Sequence, residues 1–150
     1  MPGMPGRLEA IHVTDAAGAP MRALERATLR AGVGIQGDRY ATNDGHWSDH
    51  PAGDRDLTLV AGEVIDELGL QPGTSRRNLT TRGVDLEGLI GREFLVGTVR
   101  CRGERRCEPC TYLEGLIGTP ILRDFVHRGG LRATILADGE IAVGDPIEAV

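Results

Sequence analysis

The chain has 150 residues, 40% of them hydrophobic, and a formal net charge of −5, which together predict one globular domain over residues 1–150. The acidic balance and an aromatic content of only 3% argue against a nucleic-acid partner, because such surfaces are usually basic and use aromatic side chains for stacking. No apolar run approaches the roughly 18 residues of a membrane span, so no membrane partner is expected. Residues 1–6 lack an export signal and are expected to form a disordered N-terminus of a cytoplasmic protein.

All 17 basic residues are arginine. Without lysine, the chain cannot form a Schiff base with pyridoxal phosphate or a carbonyl substrate, and it has no phosphate-loop lysine. Any bound anion must therefore be held by arginine side chains or backbone N–H groups. The odd number of cysteines, three, favours reduced thiols over a disulfide framework.

The first part of the chain predicts strands separated by a glycine-rich turn. Residues 7–14 alternate apolar and polar side chains, which indicates a strand in which His12 has a structural role. Residues 23–33 form either a second strand or an irregular segment. Three glycines in 32–37 predict tight turns or close approach to a ligand. No helical pattern follows them, so they do not match a dinucleotide-binding fingerprint.

The next stretch is polar and rich in turns. Asp38 either forms a surface ion pair with Arg39 or braces an inward-facing Arg39. Residues 41–56 predict a long loop that either contacts substrate as a lid or is plainly solvated. His46 and His50 have helical spacing, but the neighbouring Gly45 and Pro51 disfavour a helix and hence a metal pair.

A second charged cluster follows a strand at 56–60 and a helix at 63–68 that ends at Gly69. Residues 74–83 predict a strand with Arg76 and Asn78 on one face and Arg77 on the other. Guanidinium and amide donors suit a phosphate or another polyoxygen ligand. The alternative is a solvated edge strand.

The remainder of the chain predicts further short strands. Residues 98–102 are one strand, and residues 131–136 and 140–143 are expected to form a hairpin across the turn signal Asp138-Gly139. Residues 147–150 form the final strand. Many short strands, frequent Gly and Pro turns and only one to three short helices predict a mainly β protein, either a barrel or a sandwich.

The densest group of reactive side chains is residues 105–111, which hold two arginines and two cysteines. Cys110 follows a proline and lies just downstream of Arg105 and Arg106, whose positive charges would favour its thiolate. A thioredoxin-like redox dithiol of Cys107 and Cys110 would require a βαβ pattern, which is absent.

Two other interpretations of the cysteines remain. A structural zinc site would use Cys101, Cys107, Cys110 and His127. Alternatively, the thiols are small buried hydrophobic groups, which is the favoured interpretation for Cys101 within its strand. For Cys107 the choice stays open.

Several motifs, taken in order, resemble the MOSC domain, the C-terminal module of molybdenum-cofactor sulfurases that also occurs as stand-alone bacterial proteins. Each motif is weak alone, and their order makes the resemblance fairly specific over residues 8–150. The matching elements are G-x-x-G-D-R-Y-A at 34–41, R-N-L at 77–79, G-V-D-L-E-G-L-I-G at 83–91, F-L-V-G at 94–97, the signature Pro109-Cys110, R-G-G-L-R-A at 128–133 and G-E-I-A-V-G-D at 139–145.

The resemblance implies a Greek-key-like β-barrel linked to molybdenum-cofactor chemistry of the molybdopterin type. It implies either an oxidoreductase that reduces small N-hydroxylated compounds, with the Cys110 thiolate as molybdenum ligand, or a sulfur carrier that works through a Cys110 persulfide. A thiolate suits a soft metal, and Cys107 is an accessory catalytic candidate that could resolve a persulfide. The implied cofactor-binding residues are Gly37, Asp38, Arg39, Tyr40, Arg76, Arg77, Asn78, Thr111, Arg128 and Gly129.

The chain also departs from the family pattern. Tyr40 stands where relatives often have histidine, so a proton-transfer role there is in doubt. The pyridoxal-phosphate desulfurase half of the eukaryotic fusions is absent, so sulfur would have to come from a partner. The partners implied are a small-molecule substrate or cofactor and a cysteine desulfurase or redox protein. A structural zinc module without catalysis is the third hypothesis.

Overall fold

The computed structural model describes residues 6–14, 19–38, 56–70, 73, 75–107 and 130–150, and the structural statements that follow concern these residues. Within them the chain forms eleven strands, one short α-helix and one 3₁₀ turn. The elements in chain order are β1 (Gly6–Val13), β2 (Arg22–Leu24), β3 (Arg26–Arg30), β4 (Gly34–Ile35), β5 (Leu57–Ala61), α1 (Gly62–Glu67), β6 (Leu79–Arg82), the 3₁₀ turn Glu87–Leu89, β7 (Glu93–Val96), β8 (Val99–Arg106), β9 (Leu131–Ile135), β10 (Gly139–Ala142) and β11 (Pro146–Ala149).

Seven of the described strands close into a barrel, in the order β1-β11-β7-β8-β9-β5-β6 and back to β1. The closing seam pairs Gly6 with Ile147 and Arg7 with Pro146. β5 and β6 run parallel and are connected through α1, whereas the other neighbours in the barrel are antiparallel. β2 extends β1 outside the barrel, and β3, β4 and β10 form a separate three-stranded sheet.

The barrel interior is filled by apolar side chains from alternate strand positions. Leu59, Leu79 and Phe94 are completely buried, and each such side chain stabilises the fold by roughly 1.5–3 kcal/mol. Two glycines allow close approach from outside this core. A Cβ on Gly130 would overlap the carbonyl oxygen of Leu59, and one on Gly103 would overlap that of Leu89 in the 3₁₀ turn.

The mainly β barrel that the strand pattern and the family resemblance predict is confirmed. β1 and β5 lie at the strands predicted for residues 7–14 and 56–60, and α1 is followed by Gly69 with φ of 67°, as predicted for a helix end. β1 begins at Gly6, so that residue, which is buried, does not belong to a disordered N-terminus. No helix in the described part of the chain has the length and apolar character to span a membrane.

The predicted hairpin between 131–136 and 140–143 is wrong. β9 pairs with β5 and β8, whereas β10 pairs with β3 in the other sheet. The Asp138-Gly139 turn exists, but the Asp138 carboxylate accepts a hydrogen bond from the backbone N–H of Ala31 at 2.7 Å, and Gly139 pairs with Leu29. Pairing with a distant strand therefore prevails over the local turn signal.

Candidate functional site

Half of the cofactor-binding and catalytic residues predicted from sequence lie within the described structure. Those outside the described residues are Arg39, Tyr40, Cys110, Thr111, Arg128 and Gly129, together with the histidine pair His46 and His50 and the fourth zinc candidate His127. Those within it are Gly37, Asp38, Arg76, Arg77, Asn78 and Cys107.

Arg77 and Cys107, thirty residues apart in sequence, are in direct contact. The Arg77 guanidinium donates through Nη2 to the carbonyl oxygen of Cys107 at 2.8 Å and through Nη1 to that of Ser75 at 3.2 Å. Only 7% of Arg77 is exposed. A hydrogen bond to a carbonyl leaves the guanidinium charge in place, so the fold holds a buried positive charge where the cysteine-bearing segment begins.

Asn78 connects two strands next to this contact. Its side-chain oxygen accepts hydrogen bonds from the Thr58 hydroxyl at 3.0 Å and the Thr58 backbone N–H at 3.3 Å. Its side-chain nitrogen donates to the carbonyl oxygen of His12 at 3.1 Å. Because Asn78 is completely buried and its amide links β5 to β1, it fixes the position of the neighbouring Arg77.

The predicted alternation of Arg76, Arg77 and Asn78 across a strand is wrong. β6 starts only at Leu79, and Arg76 has φ of 62°, a left-handed conformation that interrupts the pleat. The Arg76 guanidinium donates through Nη1 to the carbonyl oxygen of Ala19 at 2.8 Å. The segment is therefore an ordered turn rather than a solvated edge strand.

The glycine-rich turn meets the same end of β1. Gly37 has φ of 89°, which favours glycine, and the following Asp38 is completely buried. The Asp38 carboxylate accepts a hydrogen bond from the backbone N–H of Thr14 at 3.2 Å. Burial excludes a surface ion pair for Asp38. Asp38 and Asn78, from distant parts of the chain, thus both bind the backbone of residues 12–14.

Two of the three cysteines lie within the described residues, and both are buried. Cys101 points into the barrel core and is completely buried, and burial raises the pKa of its thiol to about 12, with a smaller contribution from the charge of Asp56. The interpretation of Cys101 as a buried hydrophobic group is confirmed. Cys107 is 3% exposed, and its backbone N–H donates to the carbonyl oxygen of Gly130 at 2.8 Å.

The zinc set containing both Cys101 and Cys107 is inconsistent with the strand. β8 extends from Val99 to Arg106, so six residues of largely extended chain separate these cysteines by about 20 Å. Zinc holds each sulfur at about 2.3 Å, and one ion cannot reach both. Among the described residues, no group of three or more His, Cys, Asp or Glu side chains could hold a metal ion.

The sequence interpretation missed Arg132. Arg132 in β9 pairs with Thr58 of β5 on one side and with Arg105 of β8 on the other. Paired residues share a face of the sheet, so Thr58, Arg132 and Arg105 form a row on the outside of the barrel, extended by Asn78 through its bonds to Thr58. We call these four residues the outer row. The alternation of apolar Leu131, Ala133 and Ile135 was the signal that Arg132 points outward.

Two cavities flank this region. One of about 200 Å³ is lined by Arg106 and Gly130 near the start of the cysteine-bearing segment, and by residues 84–87. The other, of about 300 Å³, lies between β1, β6 and α1 and contains Arg82. In it, Arg82 Nη2 lies 2.9 Å from a Glu9 oxygen and 2.8 Å from an Asp66 oxygen.

The described strands form a small closed barrel, and a buried arginine contacts the start of the cysteine-bearing segment. The family profile of the MOSC domain matches residues 53–148, well over half of the chain. The chain belongs to the MOSC domain family, as its motifs predict. A comparison with curated proteins found no match.

Solved structures share the fold at low sequence identity. The YuaD protein from Bacillus subtilis is 18% identical with a TM-score of 0.77, and the match covers 97% of this chain and 96% of that one. YiiM from Geobacillus stearothermophilus is 15% identical with a TM-score of 0.73, covering 97% and 75%. YiiM from Escherichia coli is 19% identical with a TM-score of 0.67, covering 96% and 69%.

Proposed function

We propose that this MOSC protein binds a molybdenum cofactor of the molybdopterin type, uses the Cys110 thiolate as a metal ligand and reduces small N-hydroxylated compounds. The observation that carries the proposal is the hydrogen bond from Arg77 to the Cys107 carbonyl. It joins the R-N motif to a residue only three positions before Cys110. Chain connectivity alone keeps the α-carbons of Cys107 and Cys110 within about 11 Å of each other.

The proposed donor set, a thiolate near a guanidinium, suits such a ligand chemically. A thiolate is a suitable ligand for a soft metal, and a buried guanidinium nearby favours both a thiolate and an anionic group. When bound, the cofactor supplies the metal that exchanges electrons with the substrate. The chain's own residues position it: Arg77 binds the backbone at Cys107, and the next residue, Asn78, attaches this turn to β1 through the His12 carbonyl.

The predicted cofactor-binding residues divide into two groups. Arg76, Arg77 and Asn78 make hydrogen bonds to the protein itself, which supports a positioning role for them rather than direct contact with a phosphate. Direct contacts are proposed for residues outside the described structure, namely Arg39, Tyr40, Thr111, Arg128 and Gly129.

Molybdenum content tests this proposal. Protein purified from a host that makes the cofactor should contain about one molybdenum per chain, measured by elemental mass spectrometry, and Cys110→Ala should lose it. Cys107→Ala is the matched control, because it removes a thiol of the same motif and should keep the metal. Absence of molybdenum from the wild-type protein, with Cys110 intact, would sink the proposal.

A second candidate function is a sulfur carrier, which the spacing of Cys107 and Cys110 in the sequence supports. A partner cysteine desulfurase would transfer the terminal sulfur atom of its own persulfide to the Cys110 thiolate, and the partner's thiolate would leave. The thiol of Cys107, three residues away, would then attack the Cys110 persulfide and release hydrosulfide as a disulfide forms.

Mass spectrometry after incubation with a desulfurase and cysteine tests the carrier function. The peptide of Cys110 should gain one sulfur atom, and Cys101 is an internal control because burial raises its pKa to about 12. Equal labelling of both cysteines, or no label on Cys110, contradicts the sulfur-carrier role.

A further inference from the structure

The outer row places two guanidinium groups opposite each other. Arg132 and Arg105 are direct partners across β9 and β8, so their Cβ atoms are about 5 Å apart on the same face of the sheet. Two guanidinium groups placed in this way can reach one anion together.

Arg132 carries a donor that the described part of the chain does not satisfy. Its Nη1 atom is buried and has no hydrogen-bond partner among the described residues. A buried donor without an acceptor usually costs about 1–3 kcal/mol, and more when the group is charged, so it requires an explanation. A ligand that supplies the acceptor is a direct explanation.

The nearest carboxylate on β8 does not fill this role. Glu104 lies between Arg105 and Gly103 at an irregularity of the strand pairing. One oxygen of Glu104 already accepts hydrogen bonds from Arg102 Nε at 2.7 Å and from the Thr134 hydroxyl at 2.9 Å. Glu104 therefore binds Arg102 and Thr134, and it makes no hydrogen bond to Arg132 Nη1.

We propose that Arg132 and Arg105 form an oxyanion-binding site on the outside of the barrel, for inorganic phosphate or a phosphate monoester. Two guanidinium forks match the several oxygens of a tetrahedral anion and bind it through charge-assisted hydrogen bonds. Arg77 adds a buried positive charge one strand away, beyond Asn78 and Thr58. The site is independent of molybdenum, because only the oxyanion is recognised.

Inorganic phosphate is the probe for the full-length protein. Titration calorimetry should show saturable phosphate binding, and phosphate should raise the melting temperature above a chloride control of equal ionic strength. Arg132→Gln should weaken phosphate binding at least tenfold and abolish the rise in melting temperature. Arg105→Gln should also weaken binding, which keeps the test valid if the first variant folds poorly.

Arg100→Gln is the matched control. Arg100 is an exposed arginine of the same β8, and its Nη1 lies 2.7 Å from a Glu93 oxygen, so its loss changes the net charge equally. It should bind phosphate like the wild type. Equal weakening by Arg100→Gln and Arg132→Gln would reduce the effect to general charge and overturn the site. Wild-type protein that does not bind phosphate saturably would overturn it as well.

A second measurement identifies the source of the anion. Arg132→Gln is produced in a host that makes the cofactor, and its molybdenum content is compared with that of the wild type. Loss of both molybdenum and phosphate binding supports the phosphate of the pterin cofactor as the ligand. Loss of phosphate binding with full molybdenum supports a separate phosphate. If the wild-type protein contains no molybdenum, the proposed function is refuted. The phosphate titration alone then decides whether the oxyanion site exists.

Discussion

Arg82 and Arg132 both lie on the outside of the barrel, but the protein treats them differently. Arg82 meets Glu9 and Asp66, and these hydrogen bonds, with Glu9 the larger contributor, raise the pKa of its guanidinium. Arg132 instead faces another arginine and has a buried Nη1 atom without an acceptor. Where an arginine is structural, this fold provides its counter-charges. Where it does not, the counter-charge is expected to come from a ligand.

The difference also separates the two ends of β5 and β6 on the outside of the barrel. At the end where these strands finish, α1 contributes Asp66 to the Arg82 cluster. At the end where they begin, the outer row runs from Asn78 toward Arg105 and the start of the cysteine-bearing segment. Five substitutions, in four experiments, test this contrast and the burial of the side chains around it.

The largest effect is expected at Asn78, the fixed end of the outer row. Asn78→Ala would leave the N–H and hydroxyl of Thr58 and the carbonyl of His12 buried without this partner, at a cost of about 3–5 kcal/mol. Urea unfolding measures this loss of stability. Thr80→Ala is the control, because Thr80 lies in β6, which begins directly after Asn78. A loss below about 1 kcal/mol would mean that the amide does not organise the row.

Cys101 tests the cost of burial on the inner face of β8. Burial raises its pKa from 9.0 to about 12, so the unfolded chain ionises first. The free energy by which the protonated thiol favours the folded chain is fully present below pH 9. It falls by up to about 4 kcal/mol as the pH rises toward 12. The stability of wild type relative to Cys101→Ala should therefore fall over this range. A constant difference would contradict the buried thiol.

Substitution of Arg82 and of Arg132 tests the comparison between these two arginines directly. Arg82→Gln should cost about 1 kcal/mol or less, because its partners are partly exposed and solvent screens the pairs. Without phosphate, Arg132→Gln should cost nothing or stabilise the fold, because it removes a buried unsatisfied charge. Urea unfolding of both variants gives the answer. A greater loss for Arg132→Gln would make Arg132 a structural residue.

The smallest effect is expected at His12, which is 5% exposed and packs against Gly73. Burial lowers the pKa of His12 below 6.5, so the unfolded chain takes up the proton first. The free energy by which neutral His12 favours the folded chain is fully present above pH 6.5 and is lost as the pH falls below that value. The melting temperature should fall more for wild type than for His12→Gln between pH 7.5 and 5. Equal falls would contradict a lowered pKa for His12 in the folded chain.

The fold was predictable where local patterns agree with the final pairing. Apolar alternation located β1, and helix-end chemistry located Gly69 after α1. The hairpin prediction failed at Asp138, whose carboxylate caps the turn after β3 instead of closing a pair with β9. A turn signal fixes where the chain reverses but does not determine which strand it then meets.

The candidate site was predictable in its residue types and less so in its geometry. The R-N motif identified Arg77, and the contact with Cys107 joins it to the cysteine-bearing segment. The predicted alternation of residues 76–78 across a strand was wrong because Arg76 adopts a positive φ, which no pattern of polarity reveals. Arg132 was missed because its significance arises from Arg105 and Thr58, which only the strand register places beside it.

The closing seam between β1 and β11 has a consequence for synthesis. Gly6 and Arg7 of β1 pair with residues 146 and 147 of β11, so the pairing of β1 is incomplete until β11 has been synthesised. The barrel cannot close until Ala149 has left the ribosome, and the edges of β1 and β7 remain open until then. Open strand edges invite pairing with other chains. A nascent chain of this protein therefore exposes these two edges until β11 has been synthesised.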